Sequence, residues 1–398
     1  MNPKKILVVV MALVVSAFVV SLAPAFAQVD TAWVMPYNEP GINYDIAEAI
    51  AVDGSGNVCV TGRSWGSGTE YDYATIKYDS DGNDLWVQRY NGPGNHNDEA
   101  NAIAIDDSNN VYVTGESGGS ETGLDYATIK YYPTGDTAWV RRYNGPGTWN
   151  DGTEAIALDG SGNVYVTGWS WGSGTSSDYA TIKYYSDGDT AWVRRYNGPG
   201  DYEDYAHAIA VDGSGNVYVT GGSNGGWPYP HYDYVSIMYY PNGDTAWVRR
   251  YNGPGNSTDH ARSIAVDGSG NVYVTGDSKG TGTDYDYTTI KYYPNGDTAW
   301  VRRYNGPGND ADRTRSIAVD GSGNVYVTGE SWGDGTRYDY ATIKYYPNGD
   351  TAWVRRYDGP ANSDDDALAI AVNDSGNVYV TGGSKGSGTS YDYATIKY

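Results

Sequence analysis

The stretch SIAVDGSGNVYVTGESWGDGTRYDYATIKYYPNGDTAWVRRY, Ser316–Tyr357, contains four strand-like phrases separated by turns. SIAVD (a), NVYVTG (b), DYATIKYY (c) and DTAWVRRY (d) are rich in Val, Ile, Tyr, Thr and Trp, residues that suit a pleated, half-buried surface. D-G-S-G-N joins a to b and P-N-G-D joins c to d, and short Gly/Asn/Asp turns of this kind close antiparallel hairpins. No helix of useful length fits between these glycines. The stretch therefore predicts a four-stranded antiparallel sheet.

That sheet recurs along the chain. V-Y-V-T-G begins at Val58 (with Cys59 in place of Tyr), Val111, Val164, Val217, Val272, Val325 and Val378, in steps of 53, 53, 53, 55, 53 and 53 residues. The strand-d tryptophans Trp33, Trp86, Trp139, Trp192, Trp247, Trp300 and Trp353 keep the same steps. A fixed period near 50 residues points to propeller blades or repeat arrays. A β-solenoid competes poorly, because its coils need far fewer residues and contain no hairpins. The expectation is an all-β, seven-bladed β-propeller of four-stranded antiparallel blades, one domain over 28–398. The seventh copy supplies a, b and c and reaches Tyr398, while VDTAWV, Val29–Val34, is a d phrase ahead of the first a. The reading expects this N-terminal strand to complete the last blade, so that the ring closes without an unpaired edge.

Residues 1–27 read as a signal peptide: Lys4 and Lys5, an apolar run Ile6–Leu22, and Ala25-Phe26-Ala27 before Gln28. An uncleaved anchor is the alternative. The expected location is secreted, extracellular or at the cell surface, with the periplasm also open, and without membrane insertion once the signal is cleaved. Without the two lysines, the net charge of −23 becomes about −25, which repels phosphate backbones and argues against nucleic acid. The single cysteine, Cys59, stands where other copies carry Tyr and reads as a strand residue. An exported chain without disulfides must rest on a large core.

Copies of A-I-A-V-D-G-S-G-N-V-Y-V-T-G followed by Y-D-Y-A-T-I-K-Y make the chain similar to the SBBP-type β-propeller repeat of exported and cell-surface proteins of bacteria and archaea. The resemblance covers essentially the whole mature chain. It implies a seven-bladed propeller outside the cytoplasm and carries no common reaction or ligand.

Function is expected on the face that bears the b-to-c loops and the d-to-a connections, because the a-to-b and c-to-d turns are nearly identical from copy to copy. Trp65, Trp149, Trp169, Trp171, Trp227 and Trp332 are placed in loops of that variable face, either as a platform for sugars or a protein or as packing over their own blades. GGWPYPHY, with Trp227, Tyr229 and His231, carries the two-residue insertion and is the first candidate contact. Glu48, Glu154, His207, Arg262 and Arg315 stand at one position of strand a and are candidates for the mouth of the central channel, or else for pairing with the neighbouring blade. Three residues upstream an Asp recurs in all seven copies (Asp45, Asp98, Asp151, Asp204, Asp259, Asp312, Asp365). Accepting backbone N–H bonds is its expected role, so neither metal nor cofactor is assigned. G-x-S-x-G recurs in every blade, but it leads into a glycine-rich loop and a strand, not the helix of a hydrolase elbow.

Near-identical blades repeat the same groups, whereas acid–base chemistry needs different groups with separated pKa values. No catalytic residue is therefore assigned. The expectation is a monomeric binding or scaffold module for a glycan or extracellular protein. The alternatives are an extracytoplasmic enzyme of lyase or glycoside hydrolase type, which would draw on His207 or His231, and a structural surface or matrix component.

Overall fold

A computed structural model describes residues 32–38, 44–226, 231–373, 375–387 and 390–398. The chain divides into two units, Met1–Met35 and Pro36–Tyr398. In the first, Ala32–Met35 carries no strand, and the signal segment and Val29–Thr31 lie outside the described residues. The second unit is a seven-bladed β-propeller of antiparallel sheets, with no helix among the described residues.

Blade 6 shows why these residues form this sheet. Strand a (Asp312–Val319), b (Val325–Trp332), c (Tyr338–Tyr345) and d (Thr351–Tyr357) pair in order. In the a-to-b turn Asp320 accepts hydrogen bonds from the Ser322 and Asn324 amides at 2.9 Å, from the Asn324 side chain at 2.7 Å and from the Tyr326 hydroxyl at 2.9 Å. An Asp that satisfies its own turn needs no other ligand. In the c-to-d turn Gly349 has φ +88°, and a Cβ there would lie 2.8 Å from Trp300 of blade 5. Glycine at this position thus serves both the turn and the approach of the neighbouring blade.

The core lies between blades. Trp300 donates to the Pro347 carbonyl of the next blade at 3.1 Å, and the buried Tyr287 donates to the Ala341 carbonyl at 3.3 Å. Arg303 binds Asp286 at 2.7 Å, the Ser278 carbonyl at 2.7 Å and the Tyr251 hydroxyl of the preceding blade. Arg89, Arg142, Arg195, Arg250 and Arg356 repeat the Arg–Asp pair in their own blades. The recurring strand-a Asp does what the sequence predicts: Asp98 accepts from the Gly92 and Gly118 amides at 2.7 and 3.0 Å. Cys59 is fully buried, with its thiol pushed up to about 11 by burial. Where blades 2 to 6 place a tyrosine hydroxyl on the turn Asp, blade 1 places Lys77 on Asp53 at 2.8 Å.

The ends of the blade series differ from its middle. Among the described residues the seventh sheet has three strands (Asp365–Val372, Val378–Lys385, Tyr391–Lys397), without a fourth beside the last. Tyr379 and Tyr393 are 37% and 98% exposed, whereas the corresponding Tyr326 and Tyr340 of blade 6 are buried. Ile50 of blade 1 is 67% exposed, and its counterpart Ile317 is buried.

Candidate functional site

Every strand a is interrupted by a β-bulge at the same place. The unpaired residue is Glu48, Asn101, Glu154, His207, Arg262, Arg315 or Leu368 in blades 1 to 7. A bulge breaks the alternation of the strand and re-aims the side chain it carries. The side chains met there come from the sixth position of strand b, 15 residues further on in the Arg262–Asp277 and Arg315–Glu330 pairs. That position holds Arg63, Glu116, Trp169, Asp277 and Glu330, and in blades 4 and 7 the glycines Gly222 and Gly383, which leave it without a side chain. On blades 1, 3, 4 and 6 the second residue of strand a in the following blade joins the cluster: Glu99, Tyr205, His260 and Asp366. These three positions vary from blade to blade, and together they form an arc of changing chemistry.

On blades 1 to 3 the arc is acidic. Arg63 pairs with Glu99, and Asn101 donates to the Thr153 carbonyl of blade 3 at 2.9 Å. The Glu116 carboxyl is pushed up to about 7, first by burial and then by the charges of Glu99 and Glu154. Burial also raises Glu154, against a hydrogen bond from Trp169.

Across blades 3 to 5 the arc is aromatic. Trp169 meets Tyr205 edge-on at 5.9 Å, Tyr205 lies 6.2 Å from Tyr232, and Tyr232 lies 5.2 Å from His260. Gly222 makes room for this ladder, since a Cβ there would stand 3.3 Å from both Tyr232 and the His260 Nδ1. His207 is pushed down to about 4 by burial, then by Arg262 and His260. His260 falls to about 4 through burial and Arg262. Both imidazoles are neutral at pH 7.

On blades 5 to 7 arginines and acids alternate. Arg262 binds Asp277 at 3.0 Å, while Arg313 and Arg315 share the Glu330 Oε1 at 3.1 and 3.3 Å. Arg313 also donates to the Tyr338 hydroxyl at 3.1 Å. Despite its burial, Glu330 is held ionised by a hydrogen bond from Asp366 and by the two arginines. Asp366, on the other side of that bond, is pushed up by burial and by Glu330.

The structure corrects the placement of the tryptophans. Trp65, Trp169, Trp171 and Trp332 lie in strand b, not in loops, because that strand runs on through G-x-S-W paired with strand c. Trp65 and Trp332 pack edge-on against Tyr71 and Tyr338 at 5.1 and 4.9 Å, and Trp171 lies 6.1 Å from Trp149. They are dispersed over blades 1, 3 and 6; Trp65 and Trp332 pack against their own blades, whereas Trp169 reaches Tyr205 of blade 4. Trp149, 67% exposed, does lie in a d-to-a connection. Trp227 and Tyr229 lie outside the described residues, and His231 is half-buried just before strand c of blade 4. Of the strand-a candidates, Glu154, His207, Arg262 and Arg315 enter the arc through the contacts above, and Glu48 is exposed at its margin. Sequence reasoning missed Glu99, Glu116, Tyr205, His260, Asp277, Arg313, Glu330 and Asp366, while Tyr232 closes the GGWPYPHY stretch it had singled out. The available signal was their variation between copies at positions otherwise framed by constant residues.

The opposite face carries hollows between its a-to-b turns. One of about 470 Å³ lies between the a-to-b turns of blades 2 and 3, lined by Asp106, Asn110, Asp159 and Ser161. Its polar groups are spent on the turns themselves: Asp106 accepts from the Ser108 and Asn110 amides, and Asp159 from those of Ser161 and Asn163.

The chain resembles a crystallised polysaccharide lyase, Uly1, at 12% identity and TM-score 0.52 over 93% of each chain. It also resembles the extracellular domain of a putative hybrid two-component system, BT4673 from B. thetaiotaomicron, at 14% identity and TM-score 0.46, over 90% of this chain and 39% of that one. These likenesses concern the fold. No curated protein sequence matches significantly. The family model of the SBBP β-propeller repeat matches residues 85–121, 138–174, 191–226, 246–282 and 299–335. Those matches run through strands d, a and b of successive blades, on the same 53-residue period as the sheets, and the chain is a seven-bladed β-propeller that carries five matches to the SBBP repeat.

Proposed function

We propose that this chain is exported and acts as a carbohydrate-binding propeller, taking a neutral glycan along the arc of its variable face. The observation that carries the reading is the Trp169–Tyr205–Tyr232–His260 ladder, set between an acidic cluster and an arginine–carboxylate cluster. Aromatic faces pack on the apolar faces of sugar rings, and neighbouring carboxylates and guanidiniums hydrogen-bond the hydroxyls. Carboxyl groups outnumber arginines along the arc and the whole chain is strongly acidic, so a polyanionic ligand would be repelled.

A glycan array probed with the mature chain, followed by calorimetry on hits, tests this. Trp169→Ala and Tyr205→Ala should each weaken binding at least tenfold with a melting temperature within a few degrees of wild type. Binding that survives both changes sinks the reading. The second reading, an enzyme of lyase or glycoside hydrolase type, is favoured by Glu116 near neutrality and by the neutral His207, groups suited to acid–base work. Release of oligosaccharides or unsaturated products, abolished in Glu116→Gln or His207→Ala, would support it.

A further inference from the structure

Among the described residues, the six junctions between consecutive blades carry a common polar design with one departure. At each, the first residue of strand a in the next blade (Asp98, Asp151, Asp204, Asp259, Asp312, Asp365) faces the strand-c Asp of the blade before it (Asp72, Asp125, Asp178, Asp233, Asp286, Asp339). At five junctions the residue after strand d is Asn: Asn91, Asn144, Asn197, Asn252 and Asn305. Four of these amides donate at 2.7 Å to the side chain four residues on, Asn95, Asp201, Asn256 and Asn309. At the sixth junction the residue is Asp358. A carboxylate cannot donate that bond, and oxygens of Asp339, Asp358 and Asp365 come within 4.8 Å of one another.

Two of the three are buried and already oriented. Asp365 is fully buried and accepts the Gly359 and Lys385 amides at 2.6 and 3.1 Å. Asp339 is 4% exposed; its Oδ2 accepts from Arg356 at 2.7 Å and Thr336 at 3.0 Å, while its buried Oδ1 has no hydrogen-bond partner. An unsatisfied buried carboxylate oxygen is costly unless something positive faces it. The same oxygen is left over at Asp72, Asp125, Asp178 and Asp286, but among the described residues only the sixth junction adds a third carboxylate within reach. Arg356 is the cation paired into the cluster, and one guanidinium does not balance three carboxylates.

We propose that Asp339, Asp358 and Asp365 form a binding site for a hard divalent cation, calcium by preference, that pins blade 7 to blade 6. Carboxylate oxygens at a partly open position suit Ca²⁺, which tolerates irregular geometry and completes its shell with water; Mg²⁺ demands near-octahedral ligands and dehydrates reluctantly. With an exposed third ligand the affinity belongs in the range of extracellular calcium modules, roughly 0.1–1 mM.

Thermal unfolding of the full chain, stripped with chelator and titrated with CaCl₂ or MgCl₂, tests the site. The expected result is a saturable calcium-dependent rise in melting temperature, weaker with magnesium and lost in Asp358→Asn, which installs the residue that five junctions already tolerate. Asn305→Asp, which adds a third carboxylate beside Asp286 and Asp312, should create a second saturable calcium response. A wild-type chain with no saturable response at millimolar calcium overturns the proposal, as does an Asp358→Asn chain that keeps the full response. Neither outcome depends on whether the variable face binds a glycan.

Discussion

The blade junctions and the bulge arc are made from the same strands, yet they answer to different constraints. At a junction the Arg–Asp–Ser–Tyr set and the Trp-to-carbonyl bond recur from blade to blade with nearly the same distances, because every sheet must seat on its neighbour in one way. A few residues away the bulge position runs through Glu, Asn, Glu, His, Arg, Arg and Leu. Packing tolerates this variety because a bulged side chain leaves the ladder and enters no core cluster. Uniformity therefore marks where stability is made, and variation marks where the molecule is free to specialise.

The largest effects should come from breaking a junction. Arg195→Ala leaves the buried Asp178 without its ion pair and should cost about 3–5 kcal/mol in urea unfolding, far more than any single change in the arc. A loss below about 1 kcal/mol would mean that the repeated pair is not what holds the blades in register.

A second measurement compares the middle of the blade series with its end. Tyr326→Ala, at a fully buried ring between blades 6 and 7, should cost about 3–5 kcal/mol. Tyr379→Ala, at the corresponding and 37% exposed ring of blade 7, should cost about 1 kcal/mol or less. Equal losses would show that the outer face of blade 7 is covered in solution, as the closure expected from Val29–Val34 requires.

The smallest effect concerns the arc and depends on pH. Glu116 is raised from 4.5 to about 7, so between those values the folded chain holds a proton that the unfolded chain has released. Stability contributed by this group therefore falls as pH rises through that window, and the penalty is complete above about pH 7. Glu116→Gln should raise stability by roughly 1–3 kcal/mol at pH 8 and hardly at all at pH 4.5. A gain that does not change with pH would place the effect in packing, not in ionisation.

Much of this molecule is legible in one dimension. The 53-residue period, the D-G-S-G-N and N-G-D turns and the alternation within each phrase define blade number, strand order and hairpin pairing. They do so because hairpins are local: strands only a turn apart find each other, and a period-2 pattern specifies which face is buried. The role of the recurring strand-a Asp is legible for the same reason, since its amide partner at Gly92 is six residues away from Asp98.

What only the tertiary structure decided lies between blades or at the bulges. Trp65, Trp171 and Trp332 look like loop residues by composition, and pairing with strand c draws them into the sheet. Glu99 meets Arg63, and His260 meets Tyr232, across distances in sequence that no local pattern encodes. The bulge is invisible in sequence because one extra residue in strand a changes no residue type; it changes only which neighbour each side chain faces. The sequence determined that there would be seven like sheets, and the way those sheets stack determined which unlike residues became neighbours.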